Sequence, residues 1–262
     1  MEPAPAILVF DSGVGGLSIL AELRRLLPGA RYIYGCDNAA FPYGCKDEAF
    51  LVARVETVLG RLVEETDPAV VVVACNTAST VALPRIRARV PVPVVGVVPA
   101  IKPAAQRSAS RVVGLLATPA TVARRYTQWL IETYAADCTV HRLGSTELVA
   151  LAEAFVRGRP VDEAVVAEAI APLFADPRLD TVVLGCTHFP LLRAALEAAA
   201  PRPVAWIDSG EAIARRVASF TGPLPGTPSA FRCLLTGDGE EVATLVEGLR
   251  RQGAASVDWL PP

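Results

Sequence analysis

The sequence predicts an α/β fold: two pseudo-symmetric, doubly wound domains with mostly parallel sheets and a ligand site at their interface. Three observations carry that reading. Apolar, β-branched runs alternate with amphipathic helical patterns over the 262 residues, the order that builds parallel sheets covered on both faces. The alternation starts again after position 100. In each half an apolar run stops at a cysteine, "VVVVAC" at Cys75 and "VVLGC" at Cys186, and a polar, Thr-containing turn follows.

Taken in order, "AILVFDS" at 6–12 is a strand, and "LSILAELRRLLP" is a helix because Leu17, Leu20, Leu23 and Leu27 recur at helical spacing. "RYIYGCD" is a second strand, and "DEAFLVARVETVLGRLVEET" a second amphipathic helix. "AVVVVAC", helical "TVALPRIRARV" and "VPVVGVV" complete the first half. The second runs through strand "RVVGLLAT", helix "VARRYTQWLIETYA", strand "TVHRL", helices "ELVALAEAFVRG" and "VDEAVVAEAIAPLFA", and strand "TVVLGC". Superimposing "ILVFDSGVGGLSIL" on "VVGLLATPATVARRY" sets Ser12 opposite Thr118, each closing a strand and opening a helix. Cys75 then lies 63 residues after Ser12, and Cys186 lies 68 after Thr118. The tail, "SAFRCLLTGDGEEVATLVEGLRR", reads as one more strand, a Gly-Asp-Gly turn and a helix capped by Asp238. It returns to the first unit, dividing the chain into 1–97 plus 209–262 and 98–208.

Bulk properties exclude several partner classes. A formal net charge of −2 leaves no basic footprint for nucleic acid or an anionic membrane. No apolar stretch approaches the eighteen residues of a membrane span, and the acidic, strand-entering N-terminus is unlike a secretory signal. The six cysteines are scattered without a CxxC, so neither a disulfide framework nor a secreted setting is indicated. A soluble cytoplasmic protein is expected.

A lone cysteine ending an apolar run is ordinarily a small buried hydrophobe. Here each is followed by residues that resist burial, Asn76-Thr77 and Thr187-His188. In open α/β sheets ligands bind at the C-terminal strand edge, and a thiol near backbone amides there has its pKa drawn toward neutrality. Two such thiols in matching places suggest an acid and a base on opposite faces of one carbon, inverting it. "FDSGVGGLS" lacks the third glycine of a dinucleotide fingerprint and any GK[ST]; what remains is a turn with exposed amides suited to a carboxylate. Asp11 beside it is a helix cap, a proton carrier or an ammonium anchor. Tyr43-Gly44 in "FPYGCKDE" serves packing or ligand contact. His188 is structural or polarises Cys186, and Glu153 by position alone is a solvated helix charge. Cys36 and Cys45 read as structural.

"VFDSGVGGLSIL", "FPYG", "VACNTAS", "GLLATPATV", "VLGCTHFPLL" and "IDSGEAIARR" together resemble the glutamate racemases over nearly the whole chain. The resemblance implies a cofactor-independent and metal-free enzyme that makes D-glutamate for peptidoglycan. It implies that Cys75 and Cys186 are the catalytic thiols, that Asp11 assists the first, and that His188 with Glu153 assists the second. Cys186 would serve the L-enantiomer and Cys75 the D-enantiomer. Asp11, Ser12, Tyr43, Gly44, Asn76, Thr77, Thr118, Thr187 and His188 would line the substrate site. Related aspartate racemases carry Glu where His188 stands, and the superfamily's decarboxylases keep one cysteine, so glutamate racemisation is favoured. "VVGVVPAIKPA" resembles a Gram-negative subgroup, some of whose members are activated by a UDP-muramoyl-alanine precursor. The family includes monomers and homodimers.

Three rival readings carry less. A metal or redox site of Cys75, Cys186 and His188 lacks the short paired spacing of zinc ligands. A Cys-His hydrolase would need only one thiol. A pyridoxal enzyme needs a lysine, and neither Lys46 nor Lys102 stands at a strand end.

Overall fold

The computed structural model describes residues 4–238 and 242–260. The first half lays down β1 (Ala6–Asp11), α1 (Leu17–Leu26), β2 (Arg31–Cys36), α2 (Glu48–Thr66), β3 (Val70–Val73), α3 (Asn76–Arg89) and β4 (Val94–Gly96). Next come α4 (Ile101–Arg107), β5 (Val112–Ala117), α5 (Pro119–Ala123), α6 (Arg125–Tyr134) and β6 (Thr139–Gly144). These lead into α7 (Glu147–Val156), α8 (Glu163–Ile170), β7 (Thr181–Leu184), α9 (Arg193–Ala199) and β8 (Ala205–Ile207). The chain returns through α10 (Gly210–Thr221), β9 (Phe231–Leu235), α11 (Val242–Arg251) and β10 (Ala254–Trp259).

The strands form two wholly parallel sheets, ordered β10-β9-β2-β1-β3-β4 and β6-β5-β7-β8. The run β2-β1-β3-β4 repeats as β6-β5-β7-β8, so the internal repeat read from the sequence is a repeat of topology. Continuous apolar strands follow from helices on both faces. In β1, Ile7 and Val9 enter one core cluster, while Leu8 and Phe10 enter the cluster on the opposite face; with a side-chain period of two, both faces must be apolar.

This topology positions the two cysteines. β3 pairs with β1 as far as Val73 opposite Phe10, and the Ala74 N–H still donates to the Phe10 carbonyl at 2.7 Å. β7 pairs with β5 as far as Leu184 opposite Leu116, and the Gly185 N–H donates to the Leu116 carbonyl at 2.7 Å. Cys75 and Cys186 each come one residue later, where the ladder has ended beside its central strand.

Several local expectations change. Asn76 and Thr77 are not a turn: helix α3 begins directly at Asn76, with Cys75 as its N-cap. "VARRYTQWLIETYA" is two helices, broken where Arg124 is extended and the Thr127 hydroxyl donates to the Thr121 carbonyl across the corner. β10 was not expected; it lies at the sheet edge and its mixed burial hides the apolar-run signal. The last helix is described from Val242, and residues 239–241, over which an Asp238 cap would act, lie outside the described residues. Among the described residues no helix is long and apolar enough to cross a membrane.

Candidate active site

Cys75 and Cys186 are each 7% exposed and line one cavity of about 230 Å³. Asp11, Ser12, Tyr43, Gly44, Asn76 and Thr77 from the six-stranded unit face Thr118, Thr187 and His188 from the four-stranded unit around it. Of the candidate catalytic and substrate-binding residues read from the sequence, Glu153 stands behind the wall instead of in it.

On the Cys186 side the groups form a chain. His188 Nδ1 lies 3.7 Å from the Cys186 sulfur, and its Nε2 lies 2.9 Å from Glu153 Oε1. The same oxygen accepts the Val14 N–H at 2.8 Å. Burial alone would raise the Glu153 pKa, but hydrogen bonding and charge from His188, the Val14 amide and Arg157 hold it below the usual value. Burial alone would lower His188; its Cys186 and Glu153 neighbours instead hold it well above the ordinary imidazole range. Cys186, His188 and Glu153 thus form a buried chain that links the thiol through the imidazole to a carboxylate.

The glycine loop serves this chain. A Cβ at Gly13 would lie 2.3 Å from Glu153 Oε1, and one at Gly15 would lie 2.5 Å from His188 Nδ1 and Thr187 Oγ1. The loop amides were expected to hold a ligand carboxylate. Two of them are taken by the protein's own: Gly13 N–H donates to Asp11 Oδ1 at 3.1 Å, and Val14 N–H to Glu153.

The Cys75 side differs. Its sulfur is 4.0 Å from the Ser12 hydroxyl, and no histidine attends it. Burial, then the Asp11 charge, pushes its pKa up to about 12 against the Ala78 amide and Ser12. Asp11, fully buried, has its own pKa raised by burial. Its Oδ2 accepts the Thr187 hydroxyl at 3.0 Å, tying the two strand ends together across the cavity. Asn76 is 5% exposed and its Oδ1 has no partner; a buried acceptor left open in a cavity wall awaits a donor.

No Lys or Arg is among the cavity-lining residues, so an anionic ligand would be held by amides and hydroxyls. Among the described residues, no three His, Cys, Asp or Glu are grouped to hold a metal ion.

A family model described as Asp/Glu/Hydantoin racemase matches residues 16–217. The glutamate racemase of Pectobacterium carotovorum is 49% identical over 263 residues, 98% of this chain and 92% of its own length. This chain belongs to the glutamate racemase family. The Klebsiella pneumoniae glutamate racemase is 48% identical over 99% of this chain and 93% of its own. The structure of Escherichia coli glutamate racemase, in complex with L-glutamate and the activator UDP-MurNAc-Ala, superposes with a TM-score of 0.93 at 47% identity, covering 98% of both chains. Glutamate racemase from Aquifex pyrophilus superposes at 0.74 with 28% identity, over 97% of this chain and 98% of that one.

The enzyme is therefore an isomerase, and its cavity holds residues the sequence did not mark. Phe41, whose ring lies 5.9 Å from that of His188, joins Thr121, Thr146, Val149 and Ala150 in the wall. Phe41 and Thr121 lie inside the stretches "FPYG" and "GLLATPATV", while nothing local marked Thr146, Val149 or Ala150. Cys45, read as structural, is exposed and lines the cavity, because the 3₁₀ turn Tyr43–Cys45 carries it away from the core. Cys36 is buried and donates to the Gly13 carbonyl at 3.3 Å. The Tyr43 hydroxyl does not face the ligand space; it donates to Asp37 Oδ2 at 2.6 Å.

Proposed function

We propose that this enzyme interconverts L- and D-glutamate without a cofactor, Cys75 and Cys186 acting as base and acid on opposite faces of Cα. The observation that carries the reading is the placement of two thiols in one cavity, each just beyond the third strand of a repeated topology. From the L-side, Cys186 as thiolate removes the α-proton while the Cys75 thiol donates its own to the other face, so Cα inverts and one proton enters as one leaves. The surroundings support this division: burial and the Asp11 charge hold Cys75 as a thiol, while His188, paired to Glu153, lies 3.7 Å from the Cys186 sulfur. In the reverse direction Cys75 must release its proton, and Asp11, with its raised pKa beside that thiol, takes part in moving it or in anchoring the ammonium group.

The chain is read as two domains, 1–97 with 209–262 and 98–208, closing on the substrate between them. Likeness to the E. coli enzyme supports activation by a UDP-muramoyl-alanine nucleotide, and we propose a cytoplasmic role in supplying D-glutamate for peptidoglycan. The test is chiral chromatography of L- or D-glutamate, and separately aspartate, incubated with the dialysed enzyme with and without that nucleotide. Interconversion of both glutamate enantiomers is expected. Turnover of aspartate instead would overturn the substrate assignment, and inertness of both glutamate enantiomers and of aspartate would overturn the activity.

A further inference from the structure

The wall of the cavity formed by residues 41–45 hangs from a buried acid that no part of the proton chemistry uses. Asp37 follows β2 and is fully buried. Its Oδ2 accepts Tyr43 Oη at 2.6 Å and Arg54 Nε at 2.9 Å, and its Oδ1 accepts Arg54 Nη2 at 2.6 Å and Thr236 Oγ1 at 2.6 Å. Burial would raise its pKa, yet Arg54, Thr236 and Tyr43 hold it below the usual carboxylate range. Its amide donates to the Asp11 carbonyl at 2.9 Å, so two acids stand side by side at this edge. They differ in use: Asp11 has its pKa raised within the cavity wall, whereas Asp37 is saturated with donors and fixed as an anion.

We infer that Asp37 is a positioning residue for substrate binding, a role that rests on the racemase reading above. Three separate elements converge on it: the 41–45 wall through Tyr43, α2 through Arg54 and the end of β9 through Thr236. The neighbouring Asn38 adds a second tie, its Oδ1 accepting the Thr236 and Gly237 amides at 3.0 Å each. With its hydroxyl committed to Asp37, Tyr43 serves the cavity as a fixed wall, and Gly44 beside it faces Thr118, whose Cβ would lie 3.8 Å from a Cβ added at Gly44. Loss of the anchor releases that wall while leaving Cys75, Cys186, His188 and Glu153 in place. Affinity falls; proton transfer does not.

Asp37→Asn tests this, because the amide NH2 must face a Tyr43 or Arg54 donor. KM for both glutamate enantiomers is expected to rise about tenfold, the worth of one charge-assisted hydrogen bond, with kcat within about threefold and the pH profile of kcat/KM in place. Tyr43→Phe, which removes one hydroxyl and keeps the Arg54 and Thr236 bonds, should raise KM in the same direction. In the double variant the two effects should fall short of additive, since both act through one contact. An unchanged KM in Tyr43→Phe, additive effects, or a loss confined to kcat would overturn the role of Asp37. If the unaltered enzyme turns over neither enantiomer, it is the racemase reading that fails.

Discussion

Gly13 and Gly15 are glycines because two side chains from the other half occupy the space a Cβ would fill, Glu153 against the first and His188 against the second. Gly13→Ala is expected to displace Glu153 from His188 and cut kcat/KM at least about 100-fold, as an ångström-scale misplacement does, measurable by steady-state kinetics. The Glu153–His188 pair also sets a pH dependence of stability. Glu153, with its pKa lowered, stabilises the fold above its ordinary value of 4.5, and this is lost as pH falls through the folded value. His188, with its pKa raised, stabilises below its ordinary 6.5, and this is lost as pH rises through its folded value. The wild-type advantage over Glu153→Gln, about 3 kcal/mol for a broken buried pair, should therefore be largest between about pH 5 and 7 and shrink in stronger acid. Thermal unfolding of both proteins across that range checks it; a difference that grows in acid would contradict it. At this scale the sequence was legible where chemistry sat at a strand end, as with Asp11, Cys75, Cys186 and His188. Glu153 reads locally as a solvated helix charge, and only tertiary packing makes it buried.

Strands and helices were readable where burial was two-sided or periodicity strong. β1, β3, β5 and β7 are fully buried and built on apolar runs, and α2 begins after Asp47, whose carboxylate accepts the Phe50 N–H at 2.9 Å. Asp47→Ala should lower stability by about 1 kcal/mol, the usual worth of such a cap, seen as a shifted urea midpoint at constant slope. No shift would mean that the cap contributes nothing. β10 and the break between α5 and α6 escaped the sequence, the break because it turns on one side-chain bond, from the Thr127 hydroxyl to the Thr121 carbonyl. β10 is fixed by contacts distant along the chain in addition to its edge pairing with β9, such as Trp259 Nε1 donating to the Gly237 carbonyl at 3.1 Å.

Over the whole molecule, the repeated strand order sets one thiol on each side of the cavity, and unequal surroundings make the two sides chemically different. Cys75→Ser and Cys186→Ser should each reduce racemisation by about 10³-fold or more, because a hydroxyl near a substrate carbon is a far weaker acid than a thiol of ordinary pKa near 8.5. Chiral assay of each variant from both enantiomers checks this, and near-wild-type turnover in either would remove the need for a second thiol. The pairing of the halves was visible in sequence as two cysteines at like distances from Ser12 and Thr118. Part of the asymmetry was visible too, in His188 two residues from Cys186, but the burial of Glu153 behind it was not, since that arises where Glu153 and the glycine loop meet across the interface.

The most direct measurement of the two-thiol account is NMR of early turnover in heavy water, started separately from L- and from D-glutamate. Two monoprotic groups on opposite faces predict that the product enantiomer carries deuterium at Cα while recovered starting enantiomer keeps its proton, in both directions. Product retaining the original proton, or starting enantiomer gaining deuterium as fast as product forms, would show one group serving both faces and contradict the account.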